Sequence, residues 1–203
     1  MLVDKLIERG YLKTPEIISA FKKIKREDFV REEYKDLAEI DEPLPIGYGQ
    51  TISQPSTVAF MFELLQPKKG DRILDIGSGS GWTAALLAEI VGEKGKVYSV
   101  EIIPELKEFG ERNAAKYNFV KKGIVKFICS DGSQGLPLES PFDKILVSAS
   151  ATKIPSALKN QLKNNGRMVI PVGNSIFLVI KKNNKYEEKE FEGFSFVPLV
   201  SKI

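Results

Sequence analysis

The chain contains no histidine and a single cysteine, Cys129. Without histidine there is no Ser-His-Asp triad, no imidazole general base and no His-ligated metal. One cysteine allows no intrachain disulfide and, lacking histidine beside it, no zinc cluster, so no metal is expected. Chemistry here must either avoid proton transfer near neutral pH or run it through lysine, carboxylate or water. An excess of one charge is also missing. The 30 basic and 27 acidic residues are interleaved and leave a net +3, too weak a bias for a nucleic-acid or membrane partner. No apolar run reaches the roughly 18 residues that span a bilayer. Met1-Leu2-Val3-Asp4-Lys5 is charged too early for a secretory leader. The expectation is a cytoplasmic, monomeric protein.

What remains is the balance of a globular chain, 42% hydrophobic and 28% charged, and its 203 residues are long enough to bury a core. The first forty residues read as helical. Thr14-Pro15-Glu16 combines a capping hydroxyl, a first-turn proline and an acid at the positive dipole end. Ile17, Phe21 and Ile24 then share a face, and Asp28 to Ala38 reads as a second helix with Phe29, Tyr34 and Leu37 apolar. Two prolines and two glycines between Asp41 and Gln50 predict a loop, followed by a helix from Pro55 to Leu65.

From Pro67 the pattern alternates. Strands are expected at Arg72 to Ile76, Lys96 to Val100, Ile124 to Cys129, Lys144 to Val147 and Arg167 to Ile170. Helices are expected at Trp82 to Val91, Pro104 to Asn118 and Pro155 to Leu162. Ile176 to Ile180 and Tyr186 to Phe191, joined at Asn183-Asn184, predict an antiparallel hairpin. The fold class is therefore α/β: a doubly wound, mainly parallel sheet with an N-terminal helical extension and an antiparallel C-terminal portion. Residues 1–66 form the helices and a lid segment, and 67–203 the core, as one compact unit.

Leu74-Asp75-Ile76-Gly77-Ser78-Gly79-Ser80-Gly81 falls where a strand turns into a helix. Glycines there let backbone approach a ligand, and the helix offers it an N-terminus. Glu101 ends the next strand, where a carboxylate can accept the hydroxyls of an adenosine ribose, with Ile102 beside it. Asp131-Gly132, past the third strand, can meet the adenine. Nicotinamide dinucleotides use the same geometry. The spacing here, however, is G-x-G-x-G, and Asp75 would repel a pyrophosphate. S-adenosylmethionine has no phosphate and carries two positive groups. The segment resembles the first motif of class I methyltransferases, which makes the fold Rossmann-like.

Leu44-Pro45-Ile46-Gly47-Tyr48-Gly49-Gln50-Thr51-Ile52-Ser53-Gln54-Pro55 closely resembles the signature of the protein-L-isoaspartate (D-aspartate) O-methyltransferase family. Lys25-Arg26-Glu27-Asp28-Phe29-Val30, Asp131-Gly132-Ser133-Gln134-Gly135, Gly166-Arg167-Met168-Val169-Ile170-Pro171 and Phe196-Val197-Pro198-Leu199 match in order, so the resemblance covers nearly the whole chain. It implies methyl transfer from S-adenosyl-L-methionine to the α-carboxylate of L-isoaspartyl residues in damaged proteins and peptides, leaving S-adenosyl-L-homocysteine. It also implies that Gln50, Thr51, Ile52 and Ser53 contact the cofactor, with Ser53 the active-site residue. The cofactor set then comprises these with Asp75, Gly77, Ser78, Gly79, Gly81, Glu101, Ile102, Asp131 and Gly132. Pro45, Ile46, Gly47, Val197, Pro198 and Leu199 would flank the peptide. This chain departs from some members at Ser56-Thr57 and from many at Val200, and Ala149-Ser150-Ala151 stands where the family often has an Ala-Ala-Pro-like run.

An isoaspartyl carboxylate is ionised at neutral pH, so methylating it needs no general base, which suits a chain without histidine. Ser53 can also be read as a helix N-cap ahead of Pro55, Trp82 as a core aromatic and Cys129 as a small buried residue. Three other functions compete: a class I methyltransferase for a small molecule or RNA, a non-enzymatic adenosyl-binding module, and an NAD(P)-dependent oxidoreductase.

Overall fold

The structure is a computed structural model that describes residues 2–200. Helices α1 (Leu2–Glu8) and α2 (Pro15–Lys23) open the chain. α2 starts at the expected proline, but the Thr14 hydroxyl does not cap it. That hydroxyl instead donates to Glu63 at 2.7 Å, tying α2 to a later helix. The helix expected over Asp28 to Ala38 is two short 3-10 turns, Arg26–Phe29 and Glu32–Leu37. Leu37 is exposed while Phe29 is fully buried, so the segment has no continuous apolar stripe to hold one longer helix.

The loop expected over residues 41–50 contains an antiparallel hairpin of β1 (Leu44–Gly47) and β2 (Gln50–Ile52). Its turn takes Gly47, Tyr48 and Gly49 through positive φ, and Pro45 stands opposite Thr51 in this two-stranded sheet. Arg31 Nε donates to the Ile46 carbonyl at 2.9 Å and backs the hairpin. α3 (Pro55–Leu65) follows with the predicted bounds.

Then come β3 (Arg72–Ile76), α4 (Trp82–Val91), β4 (Lys96–Glu101), α5 (Pro104–Ala115), β5 (Val125–Cys129), β6 (Phe142–Val147), α6 (Ser156–Asn160), β7 (Leu162–Val172), β8 (Ser175–Lys182) and β9 (Lys185–Glu192). The seven-stranded sheet runs β5-β4-β3-β6-β7-β8-β9. β3 to β7 are parallel, and β8 and β9 return antiparallel as expected. β3 and β6 are nearly continuous apolar runs because helices cover both faces of a parallel sheet. β7 begins five residues before its predicted start and bulges where it meets Phe142 and Lys144. α1, α2, α3 and α4 share one apolar cluster with β3 and β4, so the N-terminal helices close one face of the sheet.

Strand order reverses between β3 and β6, whose successors lie on opposite sides. In open α/β sheets the crevice outside the carboxyl ends at such a switch point holds the ligand. Among the described residues no helix is long and apolar enough to cross a membrane, and no cluster of His, Cys, Asp or Glu could hold a metal.

Candidate active site

The turn after β3 is built on hydrogen bonds to its neighbours. Gly77 and Ser78 N–H both donate to the Val100 carbonyl of β4, at 2.8 and 3.2 Å. Across the switch point, Ser148 N–H donates to the Ile76 carbonyl at 2.8 Å, which draws the end of β6 against the turn. Gly81 has φ +82°, and a Cβ there would stand 2.5 Å from the Gly110 carbonyl oxygen of α5. Gly110 is the reciprocal partner, since its own Cβ would meet the Gly79 oxygen at 2.8 Å. The close backing of the turn by α5 was not read from the sequence; Gly110 inside an otherwise good helix former was the available signal.

Glu101 is 6% exposed at the end of β4. Its Oε2 accepts from Gly79 N–H at 2.9 Å, and its Oε1 from Ile102 and Ile103 N–H at 2.9 and 3.1 Å. A carboxylate has about four lone-pair sites. Three are used by backbone, and one on Oε2 stays available on the edge that lines the cleft.

The C-terminal segment reaches the same place. Ser150 N–H donates to Val197 O and Leu199 N–H to Ser150 O, each at 2.8 Å, pinning residues 197–199 beside the strand end of β6. With Ile46 from β1, this makes a cleft over Gly77, Gly79 and Glu101.

Two more hollows open from this cleft. One, on the far side of the glycine turn, is lined by Ser53, Ser78, Trp82 and Thr83. The other is a groove between Pro43, Gln54 and Thr57 on one side and Ser195, Phe196 and Val197 on the other. Thr51 and Ser148 line all three spaces, and Ser53 lines the last two. None of these three hydroxyls has a hydrogen bond to another described residue. Ser148 was absent from the sequence reading because no motif marks it; only the switch point makes it central.

Ser53 does not cap α3. The capping position falls on Gln54, without a side-chain bond, and the Ser56 N–H is taken by Asp41 Oδ1 at 2.8 Å. The Ser53 carbonyl instead accepts from Arg26 Nη2 at 3.2 Å. Arg26 is 4% exposed and also donates to the carbonyls of Ala38, Ile40 and Glu42, so one buried guanidinium fixes the segment ahead of β1 and Ser53 together. Burial lowers its pKa to about 10, where it still stays charged at neutral pH.

Several expected residues lie elsewhere. Gln50, Gly77, Gly79, Ile102, Ile46, Val197, Pro198 and Leu199 line the main cleft, and Ile52 and Ser78 line the second hollow. Pro45 is exposed on the hairpin edge, and Gly47 is the one position that tolerates Arg31 behind it, a Cβ meeting Nη2 at 2.1 Å. Asp131 and Gly132 are not among the cleft-lining residues. Asp131 Oδ1 accepts from Ser133 N–H at 2.8 Å as a turn cap, and Gly132 is small because its Cβ would strike Ile76 at 2.4 Å. Cys129 is exposed, contrary to expectation, because it sits on edge strand β5. Trp82 is buried as expected, edge-on to Phe21 at 5.5 Å.

Asp75 is fully buried and lines none of the three hollows. It accepts from Ser99 Oγ at 2.7 Å and Thr83 Oγ1 at 3.3 Å, which couples β3, β4 and α4 beneath the turn. Burial pushes its carboxyl up to about 6, against the opposing effect of these hydrogen bonds and with help from the charge on Glu101. The folded protein therefore binds this proton more tightly than the unfolded chain. Stability from Asp75 is fully present below about pH 4 and is lost as pH rises through 6. The rise from 3.8 to about 6 corresponds to roughly 3 kcal/mol. Between pH 4 and 7, unfolding free energy of the wild type should fall by about that amount relative to Asp75→Asn in urea titrations. A difference that does not change with pH would refute this.

The sequence model of the family described as protein-L-isoaspartate(D-aspartate) O-methyltransferase matches residues 1–203. A relative from Methanopyrus kandleri named protein-L-isoaspartate O-methyltransferase is 43% identical over 204 residues, spanning 98% of this chain and 89% of its own. One of the same name from Pyrococcus horikoshii is 46% identical over 204 residues, spanning 98% and 90%. A Plasmodium falciparum crystal structure described as a protein-L-isoaspartate O-methyltransferase, in complex with S-adenosyl-L-homocysteine, superposes with a TM-score of 0.89 at 26% identity and covers 99% of this chain and 97% of that one.

Proposed function

The chain belongs to the protein-L-isoaspartate(D-aspartate) O-methyltransferase family, and on that premise we propose that the methyl donor lies across its glycine turn while the peptide enters beside Ser53. The enzyme methylates the α-carboxylate of L-isoaspartyl residues in damaged proteins, using S-adenosyl-L-methionine and releasing S-adenosyl-L-homocysteine. The observation that supports this placement is the meeting of three hollows at Thr51 and Ser148. A donor with two arms and an incoming chain need three spaces that join at the reacting atom.

The residues fit S-adenosylmethionine. Glu101 keeps one lone pair toward the cleft for a ribose hydroxyl. Ile102 and Ile103 give an apolar flank for adenine, and no Lys or Arg lines the cleft to receive a diphosphate. Gln50, Thr51 and Ile52 would close over the donor from the hairpin. The donor, when bound, supplies an electrophilic methyl group on a sulfonium.

The chain's own part is positioning. An isoaspartyl α-carboxylate has a pKa near ~3.5 and arrives ionised, so no base is needed. The Ser53 hydroxyl donates to one carboxylate oxygen and leaves the other facing the methyl group. Arg26 holds Ser53 through its carbonyl. Ile46, Val197 and Leu199 are apolar walls that keep water from the reacting oxygen. The groove between Thr57 and Phe196 takes the extended peptide, so Thr57 faces the substrate side.

Ser53→Ala should lower turnover on an isoaspartyl peptide about ten- to a hundredfold, the value of a hydrogen bond to a charged group. S-adenosylhomocysteine affinity should stay within about twofold. Steady-state kinetics with calorimetric titration checks both; equal losses would make Ser53 only a wall of the donor site.

This reading takes residues 1–66 as the lid and 67–203 as the catalytic core. It also takes the enzyme to be a cytoplasmic monomer acting on proteins and peptides, not on nucleic acid or a membrane surface. Interleaved charges summing to +3 support the exclusion of nucleic acid.

A further inference from the structure

We propose that the indole N–H of Trp82, together with the Ser78 hydroxyl, binds the α-carboxylate at the amino-acid end of the methyl donor. The inference rests on the donor site proposed above and assigns a role to a side chain otherwise read as core.

Trp82 is 3% exposed and Ser78 4% exposed. The Trp82 Nε1 and the Ser78 Oγ are both buried without a hydrogen-bond partner. Leaving such groups unpaired costs on the order of 1–3 kcal/mol each; Arg26 Nε and Ser130 Oγ are also unpaired among the described residues, but neither residue lines the hollow that Trp82 and Ser78 share. An indole N–H can only donate, so its partner must be an acceptor.

The hollow lies beyond Gly77 and Gly79 from Glu101, which lines the neighbouring cleft but not this space. A donor with its ribose at Glu101 therefore directs its amino-acid arm here. That arm ends in an ammonium and a carboxylate. The ammonium has only protons to offer and cannot pair with an indole N–H. The carboxylate can.

The electrostatics agree. No Asp, Glu, Lys or Arg lines the hollow. The first turn of α4, which begins at Trp82 itself, points the positive end of a ten-residue helix at it. On the other side the Arg26 guanidinium lies over the indole, 5.5 Å from the ring centroid. A cation on the ring face draws electron density from it and makes the N–H a stronger donor. Arg26 spends its hydrogen bonds on carbonyls, so its charge is not cancelled by a carboxylate at contact distance. Asp75, the nearby acid, is directed beneath the turn to Ser99 and Thr83.

The test compares S-adenosylmethionine with its decarboxylated form, which differs only in the group in question. Calorimetric titration of the intact enzyme, without peptide, should show Trp82→Phe weakening S-adenosylmethionine about tenfold to a hundredfold. Binding of the decarboxylated form should change less than twofold. Equal weakening of both ligands, or of neither, would overturn the assignment. Ser78→Ala should show the same selectivity at smaller size, which keeps the test sound if the tryptophan variant folds poorly. The wild type gives an independent readout, because Trp82 is the single tryptophan of the chain. S-adenosylmethionine should shift its fluorescence emission and the decarboxylated form should not; equal shifts would contradict the proposal. A wild type that binds neither ligand would instead bring down the donor site itself.

Discussion

Glu101→Ala should weaken S-adenosylhomocysteine binding by a hundredfold or more while leaving a folded protein. Two losses add. The first is the charge-assisted hydrogen bond to the ribose, worth about 1.5–3 kcal/mol. The second is preorganisation. The Glu101 carboxylate holds Gly79 N–H on one oxygen and Ile102 and Ile103 N–H on the other. Those bonds set the height of the glycine turn against the end of β4, and without them the turn must be ordered by the ligand itself, at a cost in affinity. Glu101→Gln separates the two. Its amide can still accept on one side but presents N–H to a backbone N–H on the other, so it should lose less than alanine and more than tenfold. Calorimetric titration of the three proteins checks the order. If alanine and glutamine variants bind as tightly as the wild type, Glu101 does not anchor the donor.

Gly81→Ala should cost about 2–5 kcal/mol of stability. The position has φ +82°, and an added Cβ would stand 2.5 Å from the Gly110 oxygen and 2.9 Å from its carbonyl carbon and Cα. These are backbone atoms of α5 and cannot rotate away. The left-handed conformation costs about 1–2 kcal/mol for a residue with a Cβ, and the overlap adds a further 1–3 kcal/mol as helix and turn separate. Gly70 supplies the control. It has φ +85° but nothing within 4 Å of its Cβ position. Gly70→Ala should therefore lose only the conformational part, about 1–2 kcal/mol. Urea unfolding of both variants measures the gap, and equal losses would show that contact between turn and α5 adds nothing.

Much of this was visible before any coordinates. The parallel strands were legible because each is a short apolar run ending in a turn, and β3, α3 and α4 take their predicted bounds. The glycine turn and Glu101 stand at the strand ends where spacing and residue type put them, whereas Ser53 is singled out only by its resemblance to the family signature. The hairpin β1–β2 was not, since prolines and glycines signal a loop while three positive-φ residues in a row can also make a tight return. The turns over residues 26–37 were misread because local propensity favoured a helix that the burial pattern does not support. Asp75 is expected as a negative charge near the donor, and its carboxylate is a buried tie between β3, β4 and α4. A sequence shows that an acid precedes the glycines but not which way it points. Ser148 is central only through tertiary position, and the contacts of Arg26 and Gly110 become visible only in the folded chain.

The most direct test of the account uses two peptides identical except at one residue, isoaspartate in one and aspartate in the other. Incubated with the enzyme and labelled S-adenosylmethionine, the isoaspartyl peptide should gain a methyl group that is released at mildly alkaline pH, and the aspartyl peptide should gain none. Equal labelling of both, or label that survives base, would contradict a cleft built to aim an isoaspartyl carboxylate.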